Sequence, residues 1–358
     1  PPVPSDVQLP QFAPTQFIAA AKRTDIESRF NLPPQDIDGW SEDPIGPNTK
    51  IFYINKESFD NDRASHYTLG QFTDMKRPPE SGLVAFEDVE KAIASLSRQP
   101  GENYAADGDY RFMLKGGQSH STPYERVNLP SGLSLGDRCV FARYGDGMPV
   151  IDDFGRGQLR FWRSSRHISI LGIGLYNKFR DPNHAEFVGW GNTDGDIKGG
   201  FRGYTPTTET GMENVLIEGC FLNYASLGIS GGGQHTDVMM RRNVIINSYS
   251  EGSHQQGLYG ANISLYLEDN IFDHDGWFMK QIDGGNEAAM GQATMFNHST
   301  YLSNCHYVWI RGNCFLRSSS IGNKLTANSK DGIDTIKASN ILIEDNYYLD
   351  GEIGISAG

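Results

Sequence analysis

Six side chains in the C-terminal third of the chain carry groups that can move a proton or hold a charge: Tyr259, His274, His298, Tyr301, Arg317 and Lys324. Together they could take a proton from a carbon acidified by a neighbouring carboxylate, offset that carboxylate's charge, and return a proton to a leaving oxygen. Those are the requirements of β-elimination in a uronate polymer. In this scheme Arg317 and Lys324 neutralise the carboxylate, Lys324 or His298 is the base, and Tyr301 or Tyr259 protonates the leaving group. His274 shares the cleft with Arg317. Tyr259, His254, Asn297, Lys280 and Trp277 form a binding set around them, Lys280 as a clamp and Trp277 as a stacking surface. Glycoside hydrolysis would instead use two carboxyl groups roughly 5 to 10 Å apart. Asp273, Asp275, Asp283, Glu287, Asp331 and Asp334 are at hand for that, but their spacing matches no pair across repeats.

Groups this far apart in number meet only if the chain repeats, and it does. Val215–Phe221 is echoed by Met239–Ile245, Leu265–Phe272, Val308–Phe315 and Leu342–Tyr348, with a weaker copy at Ile168–Ile173. The residue before the charged position of each copy is its anchor: Ile217, Met240, Leu267, Ile310 and Ile343, separated by 23, 27, 43 and 33 residues. Each copy is short, rich in β-branched and aromatic residues, and bounded by Gly, Asn or Asp, which reads as a strand. Second strands are expected near Leu227–Ser230, Gly257–Gly260, Met295–Tyr301, Lys324–Thr326 and Ile353–Ser356. One such unit cannot bury its own apolar face, whereas stacked units share a continuous core. The fold class is therefore all-β, a parallel β-helix.

The register carries two further expectations. Three positions after the anchors stand Cys220, Asn243, Asn270, Asn313 and Asn346, an amide ladder that would satisfy backbone groups at one bend of every coil. Seven positions after them stand Tyr224, Asn247, His274, Arg317 and Asp350, which makes His274 and Arg317 stacked neighbours about 5 Å apart. The second-strand column would place Tyr259, His298 and Lys324 on consecutive coils, with Tyr301 at its edge and His254 just before it.

The remainder of the chain frames this core. Residues 1–48, rich in Pro, Asp and Gln, read as irregular chain wrapping the surface of a β-helix domain spanning 49–358. Val89, Ala92, Ile93 and Leu96 recur at helical spacing, so a helix over 86–98 is expected to cap the N-terminal end of the solenoid. The chain stops in mid-coil at Gly358, and either further chain or a partner is expected to cover that end. With 31 basic and 44 acidic residues the net charge is −13, which argues against nucleic acid as a general partner. No apolar run is long enough to span a bilayer. The first residues, PPVPSDVQLP, fit a processed N-terminus. Cys139, Cys220, Cys305 and Cys314 have no zinc spacing and leave room for one or two disulfides. No cofactor is called for; the candidate calcium loop, Asn192–Asp196, has Gly203 where an EF-hand places its glutamate.

Several stretches carry a family likeness: Arg111–Gly117, Ala142–Gly145, Arg180–Asn183, His254–Tyr259, Asp273–Trp277, Phe296–His298 with Tyr301, and Arg317–Ser320. Through them residues 50–358 resemble the right-handed parallel β-helix proteins of the pectate-lyase-like superfamily, and within it a group of secreted bacterial proteins. The resemblance implies a polysaccharide lyase acting outside the cytoplasm, secreted or periplasmic, on an acidic polysaccharide, with alginate favoured. Glycoside hydrolases and non-catalytic carbohydrate-binding proteins share the fold and stand as the alternatives.

Overall fold

The computed structural model describes residues 20–68, 84–96, 107–121, 127–153, 159–162, 164–189, 200–205, 211–231, 233–249, 256–278, 292–293, 297–327 and 338–357. Three parallel sheets run the length of these residues, with nine, eight and eight strands, each strand hydrogen-bonded to its equivalents one coil away. Sheet I begins at Lys50–Ile54 and continues through Glu213–Glu218, His235–Arg241, Ile263–Glu268 and His306–Arg311 to Ser339–Glu344. Sheet II holds the short strands, among them Phe221–Asn223, Val244–Ile246, Ile271–Asp273, Cys314–Leu316 and Tyr347–Leu349. Sheet III includes Ser226–Gly231, Leu258–Ala261, Thr300–Ser303, Ile321–Thr326 and Ile353–Ala357. The chain is a parallel β-helix. Each run that reads as a single strand in the sequence, such as Val215–Phe221, is two strands meeting at a corner.

Alternation along each strand builds the core. In sheet I, Val215 and Ile217 stack on Val238 and Met240, then Leu265 and Leu267, then Val308 and Ile310, all fully buried. In sheet II, Phe272, Phe315 and Tyr348 form a parallel stack with centroids 5.2 and 5.1 Å apart. A solenoid places chemically equal positions in contact, so one good pairing is repeated down the stack.

The corners are set by left-handed backbone. Between sheets II and III the residues Tyr224, Asn247, His274, Arg317 and Asp350 have φ of 54, 61, 58, 45 and 54°. At the sheet I–II corner the amide ladder is complete. Asn243 Nδ2 donates to Asn270 Oδ1, Asn270 Nδ2 to Asn313 Oδ1 and Asn313 Nδ2 to Asn346 Oδ1, each at 2.9 Å. The same oxygens accept the backbone N–H of the preceding rung, and Asn243 Oδ1 accepts from Cys220 N at 2.9 Å. Buried backbone groups at a bend are thus satisfied without a sheet partner.

Chain outside the coils covers two surfaces. Helix α1 (Ala20–Glu27) lies within the segment read as irregular. Ile26, Phe30 and Leu32 cover an outer stripe of sheet I made of Leu216, Met239, Tyr266, Trp309 and Leu342. Beside that stripe Glu218, Arg241, Glu268, Arg311 and Glu344 alternate in sign on successive rungs, and Arg23 joins the end of the row through two 2.8 Å bonds to Glu344. Helix α2 spans Val89–Ala94, shorter than the 86–98 its apolar spacing suggests. Phe86 is held in a parallel bridge to Ile54, and Asp88 caps the helix by accepting from Lys91 N at 2.8 Å, so no earlier start is open. Val89, Ala92 and Ile93 bury against the first coils. All four cysteines are free thiols, so the disulfides the sequence allowed are not formed.

Candidate functional site

Two groups of the sequence-derived candidates come together in space. The first stands on the outer surface of sheet III. Tyr259 pairs in register with Tyr301, and Tyr301 with Lys324, so one column on three successive coils is phenol, phenol, ammonium. All three are half-buried, and their strand neighbours Leu258, Gly260, Thr300, Leu302, Asn323 and Leu325 face inward. The Tyr259 and Tyr301 rings meet edge to face at 5.7 Å, and Lys324 Nζ lies 5.1 Å from the Tyr301 ring centroid. Burial, and then the neighbouring Tyr301, push the Tyr259 hydroxyl above its ordinary pKa.

This arrangement corrects the expected column. His298 is not a member of it, and Tyr301 is its centre rather than its edge. The strand begins at Thr300, later than its apolar pattern suggests, and a shifted start moves residues between faces. His298 precedes the strand with 0% of its surface exposed, and its ring meets Tyr301 edge to face at 5.8 Å. A polymer lying on the outside does not reach it, so the base role assigned to His298 falls away. Asn297 beside it is buried too, with its carbonyl accepting from Ser319 Oγ at 3.0 Å, which removes it from the binding set.

The second group is the corner between sheets II and III. His274 and Arg317 occupy equivalent positions on adjacent coils, as their spacing implies, and His274 N donates to Leu316 O at 3.2 Å. His274 Nδ1 faces Asn247 Oδ1 at 3.0 Å, an acceptor that selects the Nδ1–H tautomer. Its ring lies parallel to Trp277 with centroids 5.3 Å apart, and Trp277 Nε1 donates to Arg317 O. The tight path from His274 to Trp277 needs Gly276: its φ is 88°, and a Cβ there would stand 2.1 Å from Ser319 Oγ.

Arg317 is not waiting for a substrate carboxylate. Its Nε donates to Asp273 Oδ1 at 2.8 Å and Nη2 donates to Oδ2, a bidentate pair that also raises the guanidinium's pKa. The expectation that Arg317 neutralises the substrate is corrected by this partner on the preceding coil. Sequence reasoning weighed Asp273 only for hydrolysis; the signal that it pairs Arg317 is its place one residue before His274 in the same corner register. Asp275, the neighbouring carboxyl, is fully buried, and that burial pushes its pKa well up. It is no partner for a surface carboxylate pair.

His254, Lys280, Asp283, Glu287, Asp331, Asp334 and the loop Asn192–Asp196 lie outside the described residues. Among the described residues no group of three or more His, Cys, Asp or Glu side chains could hold a metal ion, and no helix is long and apolar enough to cross a membrane.

No family model matches the chain, the pectate-lyase-like superfamily included, and no curated protein matches it. Among solved structures the chain is similar to a GH136 lacto-N-biosidase from Eubacterium ramulus, with a TM-score of 0.36 and 10% identity. The overlap covers 86% of this chain and 68% of the other. A likeness at that level bears on neither family nor chemistry.

Proposed function

We propose that the chain is a carbohydrate-active enzyme that lays an acidic polysaccharide across the outer face of sheet III and cleaves it by β-elimination. The observation that carries this reading is the Tyr259–Tyr301–Lys324 column, which sets a cation against two phenols on an outer face of a chain whose net charge is −13. Adjacent coils are about 4.8 Å apart, so the three groups act within one or two sugar residues. Lys324 offsets the C6 carboxylate charge and so acidifies the C5 proton. In this scheme the Tyr301 oxygen takes the C5 proton while its own O–H proton passes to the leaving oxygen, as the C4–C5 double bond forms and the C4–O bond breaks; Tyr259 packs against the ring of Tyr301 and fixes its orientation. The corner group of His274, Trp277 and the Arg317–Asp273 pair gives an aromatic and polar flank to the same coils.

Alginate is the favoured polymer within this proposal, and a secreted or periplasmic location accompanies it. The test is a panel of alginate, pectate, chondroitin and dermatan read two ways, by the ultraviolet absorbance of an unsaturated product and by new reducing ends. Both signals are expected to rise together on at least one polymer, and Tyr301→Phe and Lys324→Ala are each expected to lower the rate about 100-fold or more. Reducing ends without absorbance would make the chain a hydrolase, and binding without either signal a non-catalytic carbohydrate-binding solenoid. Full activity in both variants would remove the column from the mechanism.

A further inference from the structure

Sheet III carries charge of one sign. Among the described residues, its eight strands hold Arg160, Arg202 and Lys324 and no aspartate or glutamate, in a chain with 44 acidic residues against 31 basic ones. Register puts all three cationic residues in one column. Arg160 pairs with Arg202, Arg202 with Gly228, Gly228 with Tyr259, Tyr259 with Tyr301 and Tyr301 with Lys324. Their strand neighbours Leu159, Phe161, Phe201, Leu227 and Ile229 belong to the core. Alternation therefore gives Arg160, Arg202 and Gly228 outer-face positions, in line with Tyr259, Tyr301 and Lys324. The column that carries the proposed reaction is the C-terminal half of a longer one.

The N-terminal half repeats the same ingredients. Two residues along, Trp162 pairs with Tyr204, so two aromatic positions stand beside two arginines, as two tyrosines stand beside Lys324. Like charges directly opposite on neighbouring strands are destabilising. Sheet I avoids that arrangement, since Glu218, Arg241, Glu268, Arg311 and Glu344 alternate in sign from rung to rung. On sheet III the positions in register on either side of the two arginines are Asn128 and Gly228, and neither supplies a carboxylate. An anionic ligand would offset the repulsion.

The length of the column decides what kind of anion. Arg160 and Lys324 are five coil steps apart, about 24 Å at roughly 4.8 Å per step. A phosphate-sized ion meets one end at most, whereas a chain with a carboxylate on each unit meets both. Gly228 contributes no side chain between the halves, so a polymer lying on Tyr259 continues towards Arg202 unobstructed. We propose that the acidic polysaccharide lies lengthwise along this column, with Arg160 and Arg202 as a remote subsite for its carboxylates, and that the subsite selects long chains over short ones. The inference rests on the acidic-polymer reading of sheet III.

Calorimetric titration of the full chain tests it, with alginate, polygalacturonate and chondroitin oligosaccharides from trisaccharide to octasaccharide as probes. Tyr301→Phe is the parent protein, so that the oligosaccharides are not consumed. Affinity for at least one series is expected to rise about tenfold or more from the shortest to the longest member. In the Arg160→Gln, Arg202→Gln variant that gain should shrink to less than about threefold. Arg166→Gln, which removes one exposed charge from sheet I, should retain the gain. The double variant should melt no lower than its parent, because it removes a repulsion. A gain that survives the double variant, a gain lost equally in Arg166→Gln, or a lower melting temperature in the double variant would each overturn the inference and leave the Tyr259–Tyr301–Lys324 reading standing. Binding of no acidic oligosaccharide at any length would remove that reading itself, and this inference with it.

Discussion

Sheets I and III belong to one solenoid and have equal access to solvent as bare sheets, yet their outer faces have opposite fates. On sheet I a stacked stripe, with Tyr266 and Trp309 centroids 4.7 Å apart, is covered by Ile26, Phe30 and Leu32. The charges beside it are neutralised in place: Arg241 bonds Glu218 at 3.0 Å and Glu268 at 2.6 Å, and all three side chains are nearly inaccessible. On sheet III the column Tyr259, Tyr301, Lys324 stays half-buried, and its cation rests on a ring instead of a carboxylate. Aromatic and charged residues in a solenoid column therefore do not by themselves mark a binding face. Among the described residues, what separates the two is whether the charges are ion-paired and whether another segment lies over the rings.

That contrast can be tested by where substitutions register. The largest stability effect is expected on the covered face. Arg241→Ala leaves buried Glu218 without an ion pair and Glu268 with only Arg311 Nε at 3.7 Å, and should lower unfolding free energy by about 3 to 5 kcal/mol in chemical denaturation. A loss below about 1 kcal/mol would mean that the charge row is not a buried network.

Next comes pH. Burial lowers the pKa of His235 from 6.5 to about 4, so the unfolded chain binds its proton first. Stability from this group is fully present above pH 6.5 and declines as pH falls from 6.5 towards 4, by roughly 3 kcal/mol in total. Asp275, whose pKa burial raises, works with the opposite sign, so the readout is the difference between the wild type and His235→Gln. Equal pH slopes in the two proteins would refute the assignment.

Asn270→Ala cuts the amide ladder: the buried Asn243 N–H loses its acceptor, and Asn313 Oδ1 and the carbonyls of Met240 and Glu268 each lose the Asn270 amide as a donor. The expected loss is about 2 to 3 kcal/mol, with no change in the unligated behaviour of sheet III. The smallest stability effect is expected on the open face. Tyr301→Phe should change the unfolding free energy by less than about 0.5 kcal/mol while carrying the largest loss of catalytic rate. A stability loss comparable to that of Arg241→Ala would make the column structural and erase the contrast between the faces.

The amide ladder was legible because its cause is local to the repeat: each asparagine stands at one fixed distance from an apolar anchor, whatever the length of the intervening loops. The His274 and Arg317 pairing was legible for the same reason, since the corner that holds them follows directly from a well-marked strand. The sheet III column was harder. The long insertion before Thr300 hides where its strand begins, and that start decides that Tyr301 points out while His298 is enclosed. The Arg317–Asp273 pair was missed because two adjacent coils contribute one partner each, and each partner alone has several readings.

The amino-acid pattern by itself determined that this chain stacks as a parallel β-helix, where its rungs lie, and which amides and corner residues align. Those features depend on periodic burial and turn chemistry, which act over a few residues at a time. Only the tertiary structure decided which outer face the N-terminal segment covers, which charges are already matched, and that a cavity forms beneath residues 34–45. Those outcomes depend on a segment folding back over coils as far as 321 residues away, as Arg23 does on Glu344, and no local rule carries information over that separation.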